Sequence, residues 1–303
     1  MKINRIDIVT LSILSLIGLY LFVQSPAPLA DENQTKGELI SVNTLFNIVA
    51  EENNKARKQW TKQIVGAGKK VGLKFGENWR KQHVDKGPLP ALFLREVATH
   101  LEKSEVSLSL FLGSDFPISS ANKFKGRQAE AFQKIRDTNG ETQYFFAEDV
   151  KRYTAMFPDN VMVKACASCH NEHPDSPKKD WVMNNIMGAT TWAYPREYVT
   201  RDELIQIVAE LRSAFAKTYI SYLEKTKTFE NAPKIGEKWP FEGYLIPAAD
   251  VFMERLENAA SVDTLRLILN KMDPKITIDK VTHTDNNENK KTANAERLKT
   301  GAL

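Results

Sequence analysis

Cysteine is scarce in this sequence: the 303 residues include only two, Cys166 and Cys169. A secreted domain held together by disulfides would carry more of them, and two cysteines this close in sequence cannot connect distant parts of a fold. Runs of lysine and arginine with interleaved aromatic residues are also missing, although the net charge is +4. We therefore expect no nucleic-acid partner, and a local purpose for the two cysteines.

Long apolar runs are missing except at the start of the chain. Lys2 and Arg5 precede an apolar segment over 8–23, which as a helix spans about 24 Å and falls short of the ~30 Å hydrocarbon core of a bilayer. Residues 1–30 are therefore expected to be a membrane anchor or a signal peptide. The anchor is favoured because Pro26 and Pro28 crowd the cleavage positions. Either way, the basic N-terminus predicts that the rest of the chain lies on the periplasmic side of the inner membrane, anchored or secreted to the periplasm.

The middle of the chain mixes two hydrophobic periods. Apolar residues recur at helical spacing over 42–64 and 90–102, and a short helix is expected over 129–135. Strand patterns are expected over 107–112, 142–147, 150–156 and 187–194. This mixture predicts an α+β fold, with a PAS-like antiparallel sheet and flanking helices, over residues 38–197.

The C-terminal third is expected to be helical. Thr200 and Glu203 have the spacing of a capping box, and the helix that follows has a broad apolar face. A second helix is expected over 249–270. We interpret 198–274 as a helical appendage that packs on the first domain or pairs between protomers, in which case 202–225 would form a homodimer contact. Residues 275–303 are polar and predicted to be a disordered tail.

The clearest motif is Cys166-Ala-Ser-Cys-His170, which has the C-x-x-C-H spacing of covalent haem attachment. The two thiols add to the two vinyl groups of the porphyrin, and the histidine that follows becomes the proximal axial ligand of the iron. The motif therefore predicts one covalent haem c, with thioethers at Cys166 and Cys169 and His170 as the iron ligand.

Two alternatives use the same residues. A redox dithiol of the thioredoxin type should lie at a strand-to-helix junction of a βαβ unit, which the pattern does not contain. A zinc site could use Cys166, Cys169, His170 and His173. Structural zinc sites usually separate their ligand pairs by a dozen or more residues, and the adjacent Cys169 and His170 would not easily reach one metal tetrahedrally. We therefore favour the interpretation of the motif as a haem-attachment site.

A sixth iron ligand is harder to identify. Methionine is common in that role in electron-transfer cytochromes, but it is also a common core residue. The candidates that flank the motif are Met156, Met162, Met183 and Met187.

The chain resembles a family of exported c-type haem sensor domains with a PAS-like fold, which occur alone or ahead of bacterial signalling modules. The resemblance rests on the haem motif and on three weaker stretches in order, at 87–96, 107–122 and 176–189. It implies haem binding and redox or diatomic-gas sensing. Some relatives supply a cysteine, from the segment before the first strand, as second axial ligand. This chain has no third cysteine, and Arg95 stands near that position, where it would contact the distal side or a haem propionate.

These observations leave two functions open. The first is a membrane-tethered or periplasmic monohaem protein that acts as a redox or diatomic-gas sensor, or haem-binding module, and signals through a separate partner protein. The alternative is a monohaem c-type cytochrome in periplasmic electron transfer, which would keep six protein-filled coordination positions where a gas binder leaves one open. We do not expect an enzyme, since no distal histidine or acid can be placed for peroxidase chemistry.

Overall fold

The computed structural model describes residues 39–272, with side chains through residue 268. The predicted anchor or signal peptide at 1–30 and the predicted disordered tail at 275–303 lie outside the described residues. Within 39–272, no helix is both long and apolar enough to span a membrane.

Helices enclose the core of the described chain. Their bounds are α1 Val42–Gln59, a π-helical stretch Trp60–Gly66, α2 Ala67–Lys70, α3 Pro90–Glu102, α4 Gly126–Asp137, α5 Lys164–Glu172, α6 Arg201–Thr226 and α7 Ala249–Met272.

The first helical segment is longer than the sequence predicts. It begins after Ser41, whose hydroxyl accepts a hydrogen bond from the Asn43 amide at 3.2 Å. The helix does not end at Gly66 or Gly68. The chain forms π-helical turns up to Gly66 and continues as an α-helix to Lys70. Such π-turns are frequent at functional sites. The next helix, α3, has the predicted bounds, with Pro90 at its first position, where its missing amide hydrogen costs nothing.

A four-stranded antiparallel sheet lies at the centre of the molecule. Its strands are β2 Ser109–Gly113, β3 Gln143–Ala147, β4 Arg152–Asn160 and β5 Ile186–Tyr194, in the order β2-β5-β4-β3. Strands β2, β3 and β5 lie within two residues of their predicted bounds, whereas β4 continues four residues past its predicted end at 156. The mixed α+β class is therefore confirmed.

The two faces of this sheet contact different groups of helices. Ala155 and Trp192, which pair across β4 and β5, are fully buried in the large core that α1 and α3 share. The neighbouring Met156 points to the opposite face, where it packs with Phe132 and Ile135 of α4 in a second, smaller cluster. The alternation follows from the two-residue period of a strand.

The C-terminal helices belong to the same large core. The apolar face of α6 is buried within the chain, and Tyr219 of α6 stacks on Phe252 of α7 with ring centroids 4.0 Å apart. The face on which the predicted dimer contact rested is therefore covered by the chain itself. Dimerisation through 202–225 stays a prediction that these contacts do not support.

The capping box before α6 is only half formed. The Thr200 hydroxyl accepts a hydrogen bond from the Glu203 amide at 3.2 Å, as predicted. The Glu203 carboxylate, however, accepts hydrogen bonds from Arg196 and the Tyr194 hydroxyl instead of reaching back to the Thr200 amide. A charged donor is the stronger partner for a carboxylate.

Several elements were not predicted. Two short pairs, β1 Ile40–Ser41 with β6 Tyr198–Val199 and β7 Lys234–Gly236 with β8 Leu245–Pro247, are too short to show a period. Helix α5 was also missed, because none of its residues is buried and no apolar stripe marks it.

Candidate haem-attachment site

The haem motif lies on α5. Cys166 is half-buried, Cys169 is exposed, and both carry free thiols. On a helix, residues three and four apart lie on the same side, so Cys169 and His170 both neighbour Cys166 across one turn. The sequence spacing therefore becomes a single helical turn that presents two thiols and an imidazole together.

A side-chain clamp fixes the C-terminal half of α5. The Asn171 amide donates to the Trp181 carbonyl at 3.0 Å, and the Trp181 amide N–H donates to the Asn171 side-chain oxygen at 2.8 Å. Trp181 itself is buried. Because Asn171 directly follows His170, this double hydrogen bond holds the motif against the loop before β5.

A cavity of about 410 Å³ opens beside Cys169. Cofactor sites in proteins typically measure about 300–1,000 Å³. Its lining includes the apolar side chains of Phe75 and Leu89 and the polar or charged side chains of Lys69, Glu77, Asn78 and His173. A lining of both kinds suits a flat macrocycle that carries carboxylates at one edge.

The segment 71–89 carries Phe75 and Glu77 to this cavity. Its ends are held together by hydrogen bonds between the backbones of Gly76 and Gly87 and of Gly87 and Lys74. A Cβ at Gly87 would lie 2.5 Å from Cε2 of Tyr222, so only glycine permits this approach to α6.

Burial and neighbouring charges, including the Glu77 carboxylate, shift the pKa values of Cys169 and His170. Burial raises the pKa of the Cys169 thiol and the Glu77 carboxylate raises it further, while Lys69 opposes them. Burial and the neighbouring His173 lower the pKa of His170, against the attraction of Asp159 and Glu77. Glu77 also lies 3.4 Å from Nε2 of His173. A neutral His170 is the form that can ligate a metal.

The residues present fit a haem better than a bare metal ion. The Nδ1 atom of His170 is buried and has no hydrogen-bond partner among the described residues. Buried polar atoms usually have such a partner, so a group that would complete the surroundings of this imidazole is missing. Across residues 39–272, no group of three or more histidine, cysteine or acidic side chains is placed to hold a metal ion. A zinc site would need such a group, whereas a haem needs two thiols and one axial ligand from this helix.

Comparison with known proteins gives one match. The model of the Tll0287-like family matches residues 34–195, which is more than half of the chain. The chain belongs to the Tll0287-like family. No curated protein and no solved structure matches it. The family stretch ends before α6, so the C-terminal helices lie outside the part that the Tll0287-like model describes.

The four predicted methionines occupy different environments in this Tll0287-like chain. Met156 is fully buried against α4, and Met187 is half-buried in β5. Met162 and Met183 are exposed. Met162 stands two residues before α5 begins, and its sulfur lies 3.7 Å from Nη2 of Arg57 on α1.

Arg95 is half-buried on α3 and close enough to Glu77 for that carboxylate to act on it. Burial lowers the pKa of Arg95, and Glu77 partly offsets the effect. Arg95 is not among the residues that line the cavity, so its contact with a haem stays a prediction. The sequence did not predict that the site would include Lys69, Glu77 or Asp159. Isolated charged residues in helix ends, strand ends and loops form no recognisable sequence pattern.

Proposed function

We propose that this Tll0287-like protein is a monohaem c-type protein that acts as a redox or diatomic-gas sensor. The observation that carries the proposal is the C-x-x-C-H motif on one turn of α5, with two free thiols, of which Cys169 lines a cavity of cofactor size. When bound, a haem supplies a one-electron redox centre and an axial position for small ligands.

The chain's own residues have distinct roles in this proposal. Cys166 and Cys169 would hold the cofactor, each S–H adding across one vinyl group so that a C–S bond forms and the proton goes to the neighbouring carbon. His170 would bind the iron as a neutral imidazole. Lys69 and Arg95 would supply positive charge for the propionates, and Phe75 and Leu89 would exclude water from the macrocycle.

We prefer sensing to simple electron transfer. The described residues that line the cavity include no methionine, which is a common sixth ligand in electron-transfer cytochromes, and His173 is the imidazole among them. The proposed location is the periplasmic side of the inner membrane, because c-type haem is attached outside the cytoplasm. The signal would then pass to a separate partner protein.

Periplasmic electron transfer is the second candidate, and Met162 is the observation that favours it. This exposed methionine lies two residues before α5 in the chain, and its sulfur could complete a six-coordinate iron.

The two functions predict different optical spectra. The full-length protein should be matured in a host with a cytochrome c maturation system, then reduced and exposed to carbon monoxide. A sensor with an open position should show a shifted Soret band at micromolar carbon monoxide. Unchanged bands, together with a methionine–iron charge-transfer band in the oxidised form that disappears in Met162→Ala, would contradict diatomic-gas sensing and support electron transfer. Met183→Ala is the matched control, because Met183 is similarly exposed.

A further inference from the structure

We propose that the segment 71–89 couples the cavity beside Cys169 to the C-terminal end of α6, so that a change at the haem alters the stability of that end of the helix. The inference rests on the proposed function, because it takes the cavity to be part of the haem site. It gives the sensor an output within this chain, on a helix that lies outside the Tll0287-like stretch.

The first observation is that this one segment forms most of the cavity wall. Lys69, Cys169 and His173 come from elsewhere in the chain. The other lining residues all belong to 71–89 and are Phe75, Gly76, Glu77, Asn78 and Leu89. A group that fills or leaves the cavity therefore acts chiefly on this segment.

Glu77 also joins the segment to the end of the motif helix. Its carboxylate lies 3.4 Å from Nε2 of His173, the residue at which α5 ends. The backbone N–H of Asp175 donates to Nδ1 of His173 at 3.1 Å. In a neutral imidazole whose Nδ1 accepts, Nε2 carries the proton, so His173 donates toward Glu77.

The same segment is tied to the C-terminal end of α6 by two hydrogen bonds. Nζ of Lys225 donates to the Lys81 carbonyl at 2.9 Å. The backbone N–H of Glu230, shortly after the helix ends, donates to the Asp85 carboxylate at 3.0 Å. Lys81 and Asp85 lie between the parts of the segment that line the cavity, so both bonds hold a stretch that the cavity flanks.

A buried aromatic contact connects the cavity wall to α6 directly. The ring centroid of Phe75 lies 6.1 Å from that of Tyr222 on α6, and both side chains are buried. Gly87 packs against both rings, since a Cβ there would lie 2.5 Å from Tyr222 and 2.9 Å from Phe75. An interior packed this closely leaves no free space to absorb a displacement, so a shift of Phe75 is passed on to Tyr222.

Two features favour a segment with a second arrangement. Residues 71–89 form turns and one isolated bridge between Phe75 and Gly87, and no helix or strand. Such segments open at a lower cost in free energy than the helices and strands around them. The Tyr222 hydroxyl is buried without a hydrogen-bond partner among the described residues. An arrangement that gave this hydroxyl a partner would be stabilised by the bond.

The Glu77 carboxylate supplies the difference between the two redox forms. It shares the cavity with Cys169, which would carry the haem. Ferric iron carries one positive charge more than ferrous iron, so reduction weakens the attraction that holds Glu77 toward the cofactor. A change of state at one site shifts a second arrangement only through such a differential interaction.

The test is hydrogen–deuterium exchange, measured by mass spectrometry, on the full-length holoprotein in its ferric form and after dithionite has supplied one electron per haem. We expect the exchange rates of amides in 74–78 and in 219–230 to change by about fivefold or more, the lower end of ordinary coupling between sites. Amides of α4 are the internal reference and should not change, because α4 packs in the smaller cluster on the other face of the sheet.

The double variant Asp85→Ala, Lys225→Ala removes both hydrogen bonds between the segment and α6 and leaves the cavity residues in place. It should keep the change at 74–78 and show a smaller change at 219–230 than wild type, because only the aromatic contact then remains. The matched control is Glu224→Ala, Lys227→Ala, which removes an ion pair at the same end of α6 that does not involve the segment. This control should behave as wild type.

Wild-type holoprotein that changes at 74–78 but not at 219–230, or that changes at neither, would overturn the coupling and leave the proposed haem protein standing. Equal changes at 219–230 in the double variant and its control would do the same. A wild-type protein without covalent haem would overturn both proposals. If the double variant does not fold, Lys225→Ala with Lys227→Ala as its control makes the same comparison.

Discussion

Arg95 gives the most direct prediction at the scale of single residues. Replacing it with alanine removes a half-buried positive charge, and with it the charge-assisted hydrogen bond that we propose Arg95 donates to a propionate or to a bound ligand. We expect the carbon monoxide affinity or the reduction potential of the holoprotein to change by an amount worth about 1–3 kcal/mol.

Arg80→Ala is the control for this substitution. Arg80 forms an ion pair with Glu96, another residue of α3, but its side chain is 58% exposed. Its removal should leave the affinity and the potential unchanged. If Arg95→Ala matches Arg80→Ala in both measurements, Arg95 has no role toward the haem.

Some residues of the candidate site can be predicted from the sequence and others cannot. The cysteines and His170 follow from chemistry that demands a fixed spacing, and Arg95 follows from the family resemblance. Glu77 comes from an irregular segment whose path depends on the close approach of Gly87 to Tyr222, and no local pattern announces that contact. Nothing in the sequence distinguishes Asp159 from any other polar residue at the end of a strand.

At the scale of elements, the clamp between α5 and Trp181 is open to test. Asn171→Ala removes both hydrogen bonds, each worth about 0.5–1.5 kcal/mol, and leaves the Trp181 backbone groups without these partners. We expect a loss of about 1–3 kcal/mol in the free energy of unfolding, measured by urea titration of the holoprotein.

Asn171→Asp provides an internal comparison. It keeps an acceptor for the Trp181 amide but loses the donor to the Trp181 carbonyl, so its unfolding free energy should fall between those of wild type and Asn171→Ala. Equal midpoints in all three proteins would show that the clamp does not hold α5.

Helices and strands with a clear hydrophobic period were predicted from the sequence, whereas elements without such a period were not. Helix α3 has the predicted bounds because Leu94, Val97 and Leu101 are buried on one face and Pro90 marks its start. Helix α5 buries no residue, so its helical form follows from neighbouring hydrogen bonds that the sequence pattern does not reveal.

At the scale of the whole molecule, the core does not end where the Tll0287-like stretch ends. Glu52 on α1 is fully buried and accepts hydrogen bonds from Arg212 of α6, at 2.7 and 3.0 Å, and from Thr264 of α7, at 2.7 Å. Tyr219 and Tyr222 of α6 surround Trp60, with ring centroids 6.1 and 5.1 Å away. The C-terminal helices therefore complete the environment of α1.

This arrangement predicts the outcome of a truncation. Deleting residues 198–303 strips the partners from Glu52, at a cost of about 3–5 kcal/mol for an uncompensated buried charge, and also exposes the aromatic core around Trp60. We expect a truncated protein that shows no cooperative unfolding transition by circular dichroism. Deleting only 275–303 is the control and should leave the unfolding midpoint unchanged. A cooperatively folded 1–197 fragment would contradict this view of the core.

The central claim is covalent haem on α5, and intact mass under denaturing conditions tests it most directly. Full-length protein from a host with a cytochrome c maturation system should be unfolded in acidified organic solvent and weighed beside the Cys166→Ala, Cys169→Ala double variant. We expect the wild-type chain to keep the added mass of one haem and the double variant to have the mass of the bare polypeptide. A wild-type chain at the bare polypeptide mass, with its haem released into the solvent, would contradict it.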